Sequence, residues 1–193
     1  SPGRGSYKLG IQASRMLYKA RKTVALYFGL TEPNVIFTKN STEAINMLFR
    51  GLLKQGDHVI ISCYEHNAVL RPLHEMKQEG IIDYSVISRE DLSLAPEELY
   101  GKYVKSNTTL FATTLASNLT GRIVFNPEVL RLMKKKGIIT FVDSSQRAKK
   151  IDISMIDEGI DYLAFTGHKD LLAFPGVGGL VCTCKPTWKP LLQ

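Results

Sequence analysis

The sequence predicts an α/β fold: a three-layer α/β/α sandwich around a mostly parallel, seven-stranded sheet. Three observations predict it. Short apolar runs rich in β-branched residues recur along the chain. Amphipathic stretches of helical period separate most of them. Glycines and prolines mark the joints. Strands alternating with helices pair in parallel and are covered on both faces, so they read as unbroken apolar runs. The 193 residues, 44% of them hydrophobic, can fill one sizeable core. With no internal repeat, low-complexity tract or linker, a single domain over 1–193 is expected.

Each element follows from a local pattern. Residues 7–29 carry a helical apolar stripe that includes Leu9, Ile11, Met16, Leu17, Val24, Ala25 and Phe28, stopped by Gly29 and Pro33. A strand is predicted at 35–37 and an amphipathic helix at 42–54, ended by Gly56. The next strand is 59–61, the next helix 68–78, closed by Gly80. A strand at 84–87, a helix at 96–105 and a strand at 108–114 follow. The helix at 127–136 stops at Gly137, and 138–142 is a strand. A short helix at 154–158 and strands at 162–165 and 178–183 complete the series.

Composition narrows the function. The formal net charge is +7, with local clusters at Lys134-Lys135-Lys136 and at Arg147, Lys149 and Lys150. The first lies at a predicted helix end, where the dipole favours cations. Without a basic stripe interleaved with aromatics, nucleic acid is not an expected partner. The positive balance suits an anionic cofactor. No apolar run approaches the roughly 20 residues of a membrane span, and no apolar segment follows Ser1-Pro2-Gly3-Arg4-Gly5. Cys63, Cys182 and Cys184 are odd in number and in apolar settings, which predicts free thiols, a reducing compartment and a cytoplasmic location. Cys182 and Cys184 are two apart and would share one strand face; no further ligands nearby make them a metal site.

The chemistry-bearing residues fall at the carboxyl ends of strands, where open α/β sheets bind ligands. Thr166-Gly167-His168-Lys169 follows the apolar run Tyr162-Leu163-Ala164-Phe165. A lysine in an apolar site loses preference for its charged form, and its neutral amine can form a Schiff base with a carbonyl. Val142-Asp143-Ser144-Ser145-Gln146 ends the preceding strand. A lysine and an aspartate on neighbouring strand ends suit pyridoxal 5′-phosphate (PLP): the amine holds its aldehyde, and the carboxylate keeps its ring nitrogen protonated. Thr38-Lys39-Asn40-Ser41-Thr42-Glu43 opens a helix that Ser41 and Thr42 can cap, leaving N–H groups for a phosphate. Glu65-His66-Asn67 places an imidazole that can lie flat on an aromatic ring, and Ser117-Asn118-Leu119-Thr120-Gly121 places an amide that can donate to a phenolate.

These motifs, with Ala44-Ile45-Asn46 and Ala68-Val69-Leu70-Arg71-Pro72-Leu73 continuing two of them, resemble the large domain of the class V aminotransferase and cysteine desulfurase family, fold-type I PLP enzymes. The resemblance covers nearly the whole chain. It implies an antiparallel last strand, Lys169 as the Schiff-base lysine, Asp143 as partner of the pyridine nitrogen, and Gln146 on the phenolic oxygen. It implies His66 stacked on the ring, Asn118 near the phenolic oxygen and substrate carboxylate, and Ser41, Thr42, Thr166 and His168 around the phosphate. It further implies a homodimer and, for a desulfurase, L-cysteine as substrate, alanine as product and a sulfur-acceptor protein.

Some positions depart from the family pattern. Ser144-Ser145 stands where a small apolar pair is usual, a mild change, and Asp170 to Gly176 differs from the common glycine-rich form, with Phe174 expected at the pocket rim. Family enzymes continue into a small C-terminal domain. That part carries a desulfurase's nucleophilic cysteine and carboxylate-binding arginine. The chain therefore reads as a large domain, expected to be inactive alone. An aminotransferase, a selenocysteine or kynurenine lyase, and a non-catalytic binding or assembly module remain as rival readings.

Overall fold

The computed structural model describes residues 7–31, 34–146, 153–183 and 186. The charged cluster at 147–150 and Cys184 lie outside them. The order is α1 (Lys8–Tyr27), β1 (Val35–Thr38), α2 (Ser41–Leu52), β2 (Asp57–Ser62), α3 (Asn67–Gln78) and β3 (Ile82–Ile87). There follow α4 (Pro96–Tyr103), β4 (Thr108–Thr114), α5 (Pro127–Lys135), β5 (Ile139–Asp143), β6 (Tyr162–Thr166) and β7 (Gly178–Cys182).

The seven strands form one sheet in the order β1-β7-β6-β5-β4-β2-β3. Its inner pairs are parallel, and β7 runs antiparallel to both β6 and β1. Side-chain alternation explains the three layers. Val59 and Ile61, Leu110 and Ala112, and Phe141 pack with Ala44, Leu48 and Phe49 of α2 and Val69, Leu73 and Met76 of α3. Ile60, Phe111 and Val142 face the other way, onto Ala25 and Phe28, Leu99 of α4, and Leu130 and Met133 of α5.

The order places a switch point between β2 and β4. The chain leaves β2 through α3, on one face, and leaves β4 towards α5, on the other. A crevice opens outside the carboxyl ends of two such strands. At the far side, β7 approaches β1 closely enough to require glycine. A Cβ on Gly178 would lie 2.6 Å from the Asn40 Cα, and one on Gly179 2.6 Å from the Ile36 carbonyl oxygen.

One expectation needs correction here. Residues 154–158 form turns rather than a helix: Glu158 N–H donates to the Ser154 carbonyl at 2.9 Å, and Ile160 N–H closes on Met155 at 2.8 Å. Gly159, at φ +73°, ends the turn before a second one can repay nucleation. The apolar stripe of α1 is largely exposed. Leu9 and Met16 are 70% and 74% exposed, and only the C-terminal end of the helix, with Ala25 and the capping Phe28, enters the core.

Candidate active site

The carboxyl ends of β1, β2, β4, β5 and β6 surround a cleft of about 200 Å³. Ser41, Thr42, His66, Asn118, Asp143, Gln146, Thr166, His168 and Lys169 all line it. These residues come from separate sequence motifs, and the sheet brings them together.

One wall is the start of α2. Its cap is Asn40, not Ser41 or Thr42. The Asn40 Oδ1 accepts from Glu43 N–H at 2.9 Å, and Glu43 Oε2 accepts from Lys39 N–H at 2.7 Å. Asn40 wins because Ser41 and Thr42 already stand in the first helical turn. Their N–H groups have no intrahelical acceptor there, so they remain available to an anion. Opposite, Thr166 ends β6 with its Oγ1 3.3 Å from His168 Nδ1. Gly167 N–H bonds the Val177 carbonyl at 2.8 Å, and Ala173 N–H returns to the Gly167 carbonyl at 2.8 Å. This doubled-back loop presents His168 and the half-buried Lys169 to the cleft. The residues that line the cleft with Lys169 are polar apart from Ala116.

The floor is Asp143, the last residue of β5 and 2% exposed. Its Oδ1 accepts from Ser145 N–H at 3.0 Å and shares a 2.5 Å contact with Ser145 Oγ, which lies 2.7 Å from Ser41 Oγ. Ser144 Oγ donates to the Ala164 carbonyl at 2.8 Å. The two serines taken as a mild departure thus tie Asp143 to α2 and β5 to β6. Asn118 lies on a loop that Ser117 closes: Ser117 N–H bonds the Arg122 carbonyl at 2.9 Å, and Gly121 N–H the Ser117 carbonyl at 2.9 Å. His66 caps α3, its Nδ1 accepting from Ala68 N–H at 3.0 Å, which fixes the ring and leaves the hydrogen of the neutral form on Nε2. Phe174 is 88% exposed and does not line the cleft, contrary to expectation.

Sequence reasoning missed Asn40, Thr114 and Ser145, which also line the cleft. It quoted Glu65 only as a neighbour of His66. Glu65 is 7% exposed; its Oε1 accepts from Thr114 N–H at 2.8 Å and from Ser62 Oγ, while Oε2 is buried without a partner. Burial above all, with the Asp143 charge adding to it against the Ser62 and Thr114 hydrogen bonds, pushes its carboxyl up to about 8. The sequence shows only an acid three residues past an apolar strand; what makes it notable is its burial and its bond to Thr114.

Fold and cleft together describe an α/β protein with its polar groups gathered at a sheet's switch point. The sequence profile of Aminotransferase class-V matches residues 1–192, and the chain belongs to that family. It is 31% identical over 182 residues to a probable cysteine desulfurase of Methanothermobacter thermautotrophicus, covering 94% of this chain and 45% of that protein. It is 30% identical to the cysteine desulfurase IscS of Shewanella denitrificans, covering 96% and 46%. Among solved structures, the apo cysteine desulfurase of Thermococcus onnurineus superposes with a TM-score of 0.83 at 28% identity, over 96% of this chain and 48% of that one. The chain thus spans about half the length of the curated relatives it matches.

Among the described residues no helix is long and apolar enough to cross a membrane, and no cluster of His, Cys, Asp or Glu could hold a metal. Cys182 is buried as expected, whereas Cys63 is exposed.

Proposed function

We propose that the cleft binds PLP and that the whole protein is a cysteine desulfurase, releasing alanine from L-cysteine and passing sulfur to an acceptor protein. One observation carries the reading: a lysine amine, a buried aspartate and the open N–H groups of a helix start share one cleft. The donor chemistry fits the cofactor's aldehyde, pyridine nitrogen and phosphate. When bound, PLP supplies an electron sink for charge developing at the substrate α-carbon.

The chain's own residues do the rest. Lys169 would hold the aldehyde carbon and, once displaced by substrate, take the α-proton on its Nζ. Asp143 would keep the proton on the ring nitrogen. Ser145 fixes Oδ1 of that carboxylate, which leaves Oδ2 as the acceptor for it. Gln146 and Asn118 would bond the phenolic oxygen, and Asn118 also the substrate carboxylate. His66, its ring fixed from Nδ1, would cover one face of the pyridine. Thr42, Thr166 and His168, with the Ser41 and Thr42 N–H groups, would hold the phosphate.

Exposed Leu9 and Met16 on α1 support a homodimer, and the exposed free thiol of Cys63 supports a reducing, cytoplasmic setting. The decisive experiment uses the full-length protein. Borohydride reduction and peptide mapping should place a pyridoxyl label on Lys169, and L-cysteine added with excess dithiothreitol, which reduces the transferred sulfur, should yield equal alanine and sulfide from a species that sediments as a dimer. A label on Lys39 instead would remove Lys169 from its role. Cofactor binding without turnover of any amino acid would favour the non-catalytic rival.

A further inference from the structure

We propose that Glu65 is a positioning residue: a carboxyl staple across the switch point between β2 and β4 that sets the distance of His66 from Asp143. The inference rests on the reading that the cleft takes a planar cofactor, since those two groups would meet such a ring on its face and at its edge.

The connections are direct. On one side Glu65 is bonded to Ser62, the last residue of β2, and is followed in the chain by His66. On the other, its Oε1 holds the N–H of Thr114, the last residue of β4. Thr114 is the register partner of Asp143 on β5, and Leu115 N–H bonds the Asp143 carbonyl at 3.0 Å. At the level of Glu65, β2 and β4 have already diverged: their register pairing ends at Ile61 and Ala112. The carboxyl replaces the missing backbone ladder at the point where the crevice opens.

A staple of this kind works best uncharged. Oε2 has no partner, and an anion there would be buried beside another carboxylate. The charged group acting on Glu65 is Asp143 on β5; Ser62 and Thr114 bring only a hydroxyl and a backbone N–H. The exposed Cys63 thiol lies on the turn that leads to Glu65. With its folded-state value raised from 4.5 to about 8, the neutral carboxyl adds stability that is complete below about pH 4.5 and lost as pH rises through about 8.

The test compares wild type, Glu65→Gln and Glu65→Ala in the full-length protein. Glutamine keeps the carbonyl acceptor for Ser62 and Thr114 but cannot ionise. In cofactor-free protein, the melting temperature of Glu65→Gln relative to wild type should climb as pH rises from 5 to 8 and level off above. At pH 7, PLP should bind Glu65→Gln within about twofold of wild type and Glu65→Ala at least tenfold more weakly. A Gln-minus-wild-type difference that does not change with pH overturns the neutral staple. Equal PLP affinity of the Ala and wild-type proteins overturns the positioning role. Should wild type itself bind no PLP, the functional reading fails, and the cofactor-free pH series still decides the state of Glu65.

Discussion

Two buried ionisable side chains stand at opposite ends of β2, and their surroundings differ in one respect. His58, at the amino end, is fully buried with both ring nitrogens engaged: Nδ1 lies 2.8 Å from Thr108 Oγ1 and Nε2 2.9 Å from Ser85 Oγ. A neutral imidazole offers one donor and one acceptor, and two hydroxyls complete both. Burial, helped by Lys105 and Lys77 against Asp83, pushes its pKa down. Glu65, at the carboxyl end, keeps one oxygen without a partner. Beyond it the polar chain of Ser41, Ser145 and Asp143 runs into the cleft. Where every polar atom is paired within the protein, the network serves the fold. At the carboxyl end one oxygen stays unpaired beneath the cleft, beside the groups we propose meet a ligand.

The largest expected effect lies at the open end. Asp143→Asn keeps the shape and the Ser145 contact but cannot hold a proton on a ring nitrogen. Turnover of the full-length protein should fall by orders of magnitude, with stability and some cofactor binding retained. Near-normal turnover would mean that the carboxyl-edge network, like the amino-edge one, serves only the fold.

At the closed end the effect should be thermodynamic. His58→Ala takes a partner from the half-buried hydroxyls of Ser85 and Thr108, the latter still bonded by Lys105 N–H, and leaves a void, which should cost roughly 3 kcal/mol. PLP affinity should stay unchanged, because the cleft lies at the other edge. Denaturant unfolding and a cofactor titration on the same sample check both halves. A large loss of affinity would show that the two ends are coupled through β2. The pH behaviour should also oppose that of Glu65. The His58 value is lowered in the folded state, so its contribution is complete above about 6.5 and is lost as pH falls below it.

How much of this was legible in the sequence follows from where the signals lie. The strands were readable because unbroken runs such as Val59-Ile60-Ile61 feed both helical layers. The cleft was readable because its residues lie no more than four past a strand end, so the strands fix their place. The turn at 154–158 was misread because in so short a stretch one hydrogen-bonded turn looks like a helix start, and Gly159, at φ +73°, stops it there. Ser145 and Glu65 were undervalued because their importance depends on long-range partners, Ser41 for one and Thr114 for the other.

The smallest effect should come from the helix start that joins fold and site. Asn40→Ala removes the Oδ1 acceptor for Glu43 N–H, a change worth about 1 kcal/mol at a helix cap. The backbone at Asn40 is extended, at φ −168°, so alanine fits without strain. The bond from Lys39 N–H to Glu43 Oε2 survives and should keep α2 formed. What loosens is the first turn, where the Ser41 and Thr42 N–H groups face the cleft. If those groups bind the phosphate, PLP affinity should fall about fivefold, the equivalent of that 1 kcal/mol, whereas pyridoxal, which lacks the phosphate, should bind as before. Parallel titrations with the two compounds separate the outcomes. An equal loss for both would place the effect in the fold, on the same footing as His58, and would take the helix start out of the ligand site.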